Sequence, residues 1–177
     1  MKKNTELIIG AAVIVAVLAI AATIALLINN SITKVVYQPV VACELFTLAE
    51  AKELMGDSAI GSGVTAPTQT NDTATSKCGY TDGNTNTENL VVAAIIVRSG
   101  INDKGVEQNK TEFNNGKPQE NVIDVNDLGD SAYFNEKNGQ LNVLDGYNWI
   151  VFSYGPGSDP VANTLEDAVE LAQKVVN

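Results

Sequence analysis

Leu90-Val91-Val92-Ala93-Ala94-Ile95-Ile96-Val97 is apolar at every position, and its reading decides the fold. So short a run, rich in β-branched residues, reads as a strand and not as a helix. Side chains alternate across a strand, so a run with no polar alternation predicts cover on both faces of its sheet. Tyr147–Tyr154 repeats the pattern: Trp149 and Val151 share one face, while Ile150, Phe152 and Tyr154 share the other. Two such strands predict the centre of a sheet between two layers.

Outward from that centre, turn chemistry and helical spacing place the remaining elements. Toward the C-terminus, Asn102–Asn115 reads as a helix with Val106, Lys110 and Phe113 on one side. Asn121–Val125, Ser131–Lys137, Gln140–Leu144 and Tyr147–Tyr154 then form a meander. Asn138-Gly139 and Asp145-Gly146 carry the signature of type I′ hairpin turns, whose two central residues need positive φ. After Gly155-Pro156-Gly157, Thr164 caps a helix that puts Leu165, Ala168, Ala172 and Val175 on one face, with Val169 and Val176 beside them. Toward the N-terminus, Lys77–Thr81 is a strand and Asp82-Gly83-Asn84 a turn. Gly61–Ser76, rich in Gly, Ser, Thr and Asn, reads as a long loop. Thr47-Leu48-Ala49-Glu50 is a capping box opening a helix with Leu48, Ala51, Leu54 and Met55 on its apolar side and Gly56 as its stop. Helices and antiparallel strands in this order predict an α+β fold: an antiparallel sheet sandwiched by helices over residues 43–177.

A second apolar run, Leu7–Ile28, is bounded by Lys2, Lys3 and Glu6 before it and by Asn29 and Asn30 after it. Its roughly twenty residues suffice for a helix to cross a bilayer. Residues 1–30 are therefore expected to be a transmembrane anchor and residues 31–42 a short tether with Pro39. Two other readings compete. A cleaved signal is usually shorter and has its small-residue site after the apolar stretch, whereas Ala19-Ile20-Ala21 lies inside this one. A lipobox can be read in Val40-Val41-Ala42-Cys43, although Lys34 and Pro39 separate it from Ile28. Lys2 and Lys3 favour a cytoplasmic N-terminus and an extracytoplasmic domain. Cys43 and Cys78, both beyond the run, read as one disulfide in such a compartment. Ala12/Ala16 and Ala21/Ala25 have a spacing that lets two membrane helices pack, so a dimer is one option.

The chain carries 11 basic and 21 acidic residues, a net charge of −10. Lys2, Lys3 and Glu6 all precede Lys34, so the part from Lys34 onward carries −11. That charge argues against nucleic acid and anionic lipid surfaces, and leaves a cationic partner open. Histidine is absent, which removes Ser-His-Asp and Cys-His catalysis and the commonest zinc ligand. Asp82, Asn84, Asn86 and Glu88 alternate like calcium-loop ligands, but Thr87 and Ala93 stand where an EF-hand needs Gly and Glu. Asp124, Asn126, Asp127 and Asp130 are a second oxygen-rich group, with Leu128 out of pattern. Neither group predicts a metal, and no nucleophile motif or phosphate loop occurs, so no cofactor and no catalytic residue is expected. Paired carboxylates remain the one route to hydrolysis.

Cys43-Glu44-Leu45-Phe46-Thr47, Leu54-Met55-Gly56, Cys78-Gly79-Tyr80 and Leu128-Gly129-Asp130-Ser131-Ala132-Tyr133, with the Leu141–Val151 hairpin and the closing helix, resemble the actinobacterial Cys-Leu-Leu-Thr envelope lipoproteins. That group is similar to the LpqN-type lipoproteins and to the extracellular sensor domains of mycobacterial Ser/Thr kinases. The resemblance implies a PsbP-like α/β sandwich with its two cysteines bonded, and a non-enzymatic envelope protein. The expected function is a membrane-anchored, sensor-like domain that binds a small or lipidic ligand or an envelope protein. A structural component of an envelope complex is the alternative, and a carboxylate-dependent hydrolase the remote one.

Overall fold

The computed structural model describes residues 37–61 and 66–176. The anchor expected at 1–30 and the tether up to residue 36 lie outside these residues. No helix among the described residues is long and apolar enough to cross a membrane.

The described chain is an α+β fold built on one antiparallel sheet. Its strands are β1 (Ile60–Gly61), β2 (Thr68–Gln69), β3 (Thr73–Thr81), β4 (Val91–Gly100), β5 (Val122–Val125), β6 (Ser131–Asn135), β7 (Gln140–Asp145) and β8 (Asn148–Pro156). They lie in the order β1-β3-β4-β8-β7-β6-β5, with β2 also on β3. The helices are α1 (Ala42–Leu45), α2 (Leu48–Met55), α3 (Asp103–Gly116) and α4 (Leu165–Gln173). The strands that carry these two apolar runs, β4 and β8, are hydrogen-bonded neighbours near the middle of the sheet.

Register explains the core. Cys78, Ile95, Phe152, Leu141 and Phe134 are successive cross-strand partners, so their side chains share one face. Ser76, Val97, Ile150, Val143 and Ala132 form the next parallel row. Both rows are buried with Ala42, Phe46, Ala51, Ala168, Leu171 and Ala172 from α1, α2 and α4. This inner face holds nearly all of the core. Leu171 is fully buried on α4, whereas Leu48, expected on the apolar side of α2, is 43% exposed.

The outer face differs from expectation. There α3 stands over one end of the sheet, packing Phe113 on Tyr133, Leu144, Val122 and Trp149. Its buried stripe is Gly105, Asn109 and Phe113, not Val106, Lys110 and Phe113. Ala93, Ile95 and Val97 are fully buried, but Val92, Ala94, Ile96 and Val151 on the other face are only partly covered. Among the described residues, α3 is the one helix on this face and it does not reach that far. The expected sandwich is complete on the inner side and half built on the outer.

Three local expectations change. β3 begins at Thr73, four residues earlier than predicted, and β2 pairs with its start, so the expected loop to Ser76 ends sooner. Thr70 supplies the turn, its hydroxyl accepting from the Thr73 N–H at 3.0 Å. Asp145 stays in the ladder opposite Asn148, leaving Gly146 and Tyr147 as the loop, in which Gly146 takes φ +57. The β6–β7 connection is four residues long and puts Gly139 at φ +60. Neither hairpin is the I′ turn its dipeptide suggests, because Asn138 and Asp145 do not take the positive φ that such a turn needs before its glycine.

Residues 37–42, read as tether, are packed on the domain. The Val40 N–H donates to Ser99 Oγ at 3.1 Å, Ser76 Oγ donates to the Val40 carbonyl at 2.7 Å, and the Ala42 N–H donates to Ser76 Oγ at 2.9 Å. Tyr37 meets Tyr147 edge-on and hydrogen-bonds Asp103. Two buried serines that look like polar flaws in strands thus hold the incoming chain.

Candidate functional site

Cys43 and Cys78 are joined as a disulfide, with their Cα atoms 5.0 Å apart. The bond ties α1 to β3 at the edge of the inner core. Beside it, the Tyr80 hydroxyl donates to the Phe46 carbonyl at 3.1 Å and the two rings meet edge-on. Burial pushes the Tyr80 phenol above its ordinary pKa, and the Glu50 carboxylate adds to the shift. This neighbourhood is a structural staple. It offers no cleft and no reactive thiol.

The first oxygen-rich group is a string of turns, and the second lines a polar hollow of about 380 Å³ together with Lys117. Along 82–88 each side chain caps the backbone two residues on: Asp82 Oδ1 accepts from Asn84 N–H, Asn84 Oδ1 from Asn86 N–H, and Asn86 Oδ1 from Glu88 N–H, at 3.0–3.1 Å. In the second group Asp124 pairs with Lys117, and Asp130 Oδ2 accepts from the Gly146 N–H at 2.9 Å. The Leu128–Tyr133 segment is thus a clasp between the β5–β6 and β7–β8 connections. Gly129, at φ +59, is held there because a methyl would meet the Leu144 carbonyl oxygen at 2.6 Å. Among the described residues no group of three or more His, Cys, Asp or Glu could hold a metal ion.

The shifted carboxyls point away from acid catalysis. Hydrogen bonds from Arg98 and Gln108 hold Glu112 below its ordinary pKa, and Lys104 with Asn102 does the same for Asp72. A general acid needs the opposite shift, from burial without a cation. The aromatic residues of the meander pack as structure: Phe134, Phe152 and Tyr154 against the inner core, Tyr133 and Trp149 under α3.

Two other hollows are lined by two or more aliphatic side chains. A cleft of about 120 Å³ lies between α4 and the β5–β6 connection, lined by Val125, Leu128, Val169 and Val176 with polar neighbours. Ligand pockets usually run to roughly 300–1,000 Å³, so it is too small for a lipid. On the outer face, a groove of about 330 Å³ runs across β1, β3 and β4, lined by Ile60, Gly61, Gly79, Tyr80, Thr81 and Val92. Register makes it continuous with the uncovered strip: Gly79 lies beside Ala94, Lys77 beside Ile96, and Ile96 beside Val151. Ile60 is 61% exposed at its rim. Ile60, Val92, Ala94, Ile96 and Val151 form a contiguous apolar strip that is exposed at Ile60 and partly covered elsewhere.

No residue of this surface was singled out in the sequence as a site. Two signals were present: an apolar run too uniform for the helices available to cover it, and Gly79 inside a strand. No protein-family model matches the chain, and neither a curated protein nor a solved structure matches it.

Proposed function

We propose that this chain is a membrane-anchored, extracytoplasmic binding domain without catalytic activity, of the PsbP-like α/β sandwich kind. Residues 7–28 are its single span, with the N-terminus in the cytoplasm. The observation that carries the reading is the partly open apolar strip on the outer sheet face. Contiguous apolar surface beside a groove is what docking surfaces present and what soluble monomers otherwise avoid. The disulfide supports an oxidising compartment. The inner cleft is too small for a lipid and the outer groove lies open on a sheet face, which favours a macromolecular partner. With the backbone at Val40 and Ala42 held by Ser99 and Ser76, cutting before Cys43 would remove contacts the domain uses, which counts against the lipobox reading.

A photo-crosslinking residue placed at Ile96 in the full chain, in its own membrane, tests this. Adducts are expected at Ile96 and at Ile60, and not at Lys110 on the exposed side of α3. If position 96 captures no more than position 110, the outer face is not the binding surface.

A further inference from the structure

We propose that the occupant of the outer face is a second copy of this chain, packed sheet to sheet about a two-fold axis. This rests on the reading of that face as the docking surface and names its partner.

The residues are arranged to complement themselves. An axis between two facing sheets, running across their strands, reverses each strand against its counterpart. Centred on the cross-strand pair Gly79 and Ala94, it exchanges Ile96 with Val92 and Lys77 with Thr81. Each copy then sets Ile96 against Val92 of the other, with Gly79 and Ala94 letting the backbones approach at the centre. Ile60 pairs with Thr81, so the stem of Lys77 comes to lie toward Ile60 of the second copy. Its ammonium comes toward the β3–β4 connection, which holds Asp82 and Glu88 and no basic residue. Apolar stem on isoleucine and charge toward carboxylates is how lysine packs at an interface rim.

Charge also selects this face. Around the Gly79–Ala94 centre, the outward residues Lys77, Thr81, Val92, Ile96, Val151 and Ser153 include no carboxylate, and Glu112, which α3 brings to this face, is paired with Arg98. A chain of net charge −10 repels copies of itself, and least where its acids are absent. A cationic partner would be drawn to the rest of the surface instead.

The test uses the full chain in its membrane, with Ala94→Cys at the two-fold centre and a short bis-maleimide. A covalent dimer is expected. Adding Ile96→Lys should abolish it, and adding Lys77→Glu should lower its yield about tenfold, the scale of a modest like-charge penalty. Adding Glu88→Lys to the Lys77→Glu chain should restore it, since the charges are then exchanged. Lys77 is exposed, so its replacement leaves the core intact if Ile96→Lys fails to fold. A dimer that survives both substitutions would be held by the anchor and overturns the proposal. Adducts to other proteins without a dimer overturn the second copy but not the docking surface. No dimer overturns the second copy, and a silent photo-crosslinker at Ile96 beside it overturns the docking surface as well.

Discussion

Asn109 is fully buried in α3, and its Nδ2 donates to the carbonyls of Arg98 at 2.8 Å and Tyr147 at 3.1 Å. A single side chain therefore bolts the outer helix to β4 and to the β7–β8 turn. Both carbonyls keep a backbone partner, the Gly100 N–H for Tyr147 and the strand pair with Trp149 for Arg98, so Asn109→Ala removes two hydrogen bonds and opens a cavity. A loss of about 1–3 kcal/mol is expected by chemical denaturation, from two hydrogen bonds of roughly 0.5–1.5 kcal/mol each. Gly105, one turn earlier, looks like a helix flaw worth about 1 kcal/mol against alanine. It is there because a methyl would overlap the Asp72 carbonyl oxygen and crowd Gly100. Gly105→Ala should thus lower the melting temperature despite its better propensity; an increase would show that α3 does not sit this close. Glu112 gives an acid response. Its carboxyl is held below the ordinary 4.5, mainly by the hydrogen bond from Arg98. The stability it adds is present above that value and is lost as pH falls through the lowered one. Melting curves taken below pH 4.5 should show a shallower acid dependence for Glu112→Gln than for the native chain.

At the scale of elements, caps were the most legible feature. Thr47 and Glu50 form the expected capping box, with the Thr47 N–H 2.6 Å from Glu50 Oε2 and the Glu50 N–H 3.4 Å from Thr47 Oγ1. Thr164 accepts from the Asp167 N–H at 3.1 Å in the same manner. These bonds are local in sequence, which is why a sequence shows them. Thr47→Ala should cost about 1 kcal/mol, seen as a lower denaturation midpoint with unchanged slope. Element ends that depend on distant partners were less legible. The Thr73–Ser76 stretch reads as loop from its hydroxyls, yet it is strand because β4 offers it a ladder. Those hydroxyls find partners at Thr70 and in the incoming chain at Val40 and Ala42. Nothing near Ser76 in sequence announces those partners, 34 and 36 residues away.

At the scale of the whole molecule, the disulfide fastens α1 to the strand on which β1 and β2 lie. It closes a separation of 35 residues, for which roughly 2–4 kcal/mol is the usual stabilisation, larger for longer loops and dependent on native strain. Replacing Cys43 and Cys78 by serine should lower stability by that order in an equilibrium unfolding experiment. Because α1, Phe46 and the Val40 backbone all lean on β3, amide exchange should accelerate most around residues 37–46. A uniform increase across the sheet would instead mean that the bond acts on the unfolded chain alone. The layers show why the outer face could not be read in advance. Apolar pattern says which side chains avoid water, but the span of α3 says how many of them its own chain can cover.

The sequence by itself determined the α+β class, the antiparallel meander, the helix caps and the central place of β4 and β8. All follow from periodicity and short-range hydrogen bonding. It also determined that two cysteines stand beyond an apolar run, which made their pairing an expectation. Only the tertiary structure decided that α1, α2 and α4 gather on one face while α3 stands over part of the other. It alone decided that Asn109 and Gly105 point inward and that Ile60, Val92, Ala94 and Ile96 line up as one open strip. The physical reason is register: a cross-strand row assembles residues from segments far apart in the chain, and no local pattern records which rows a helix will cover.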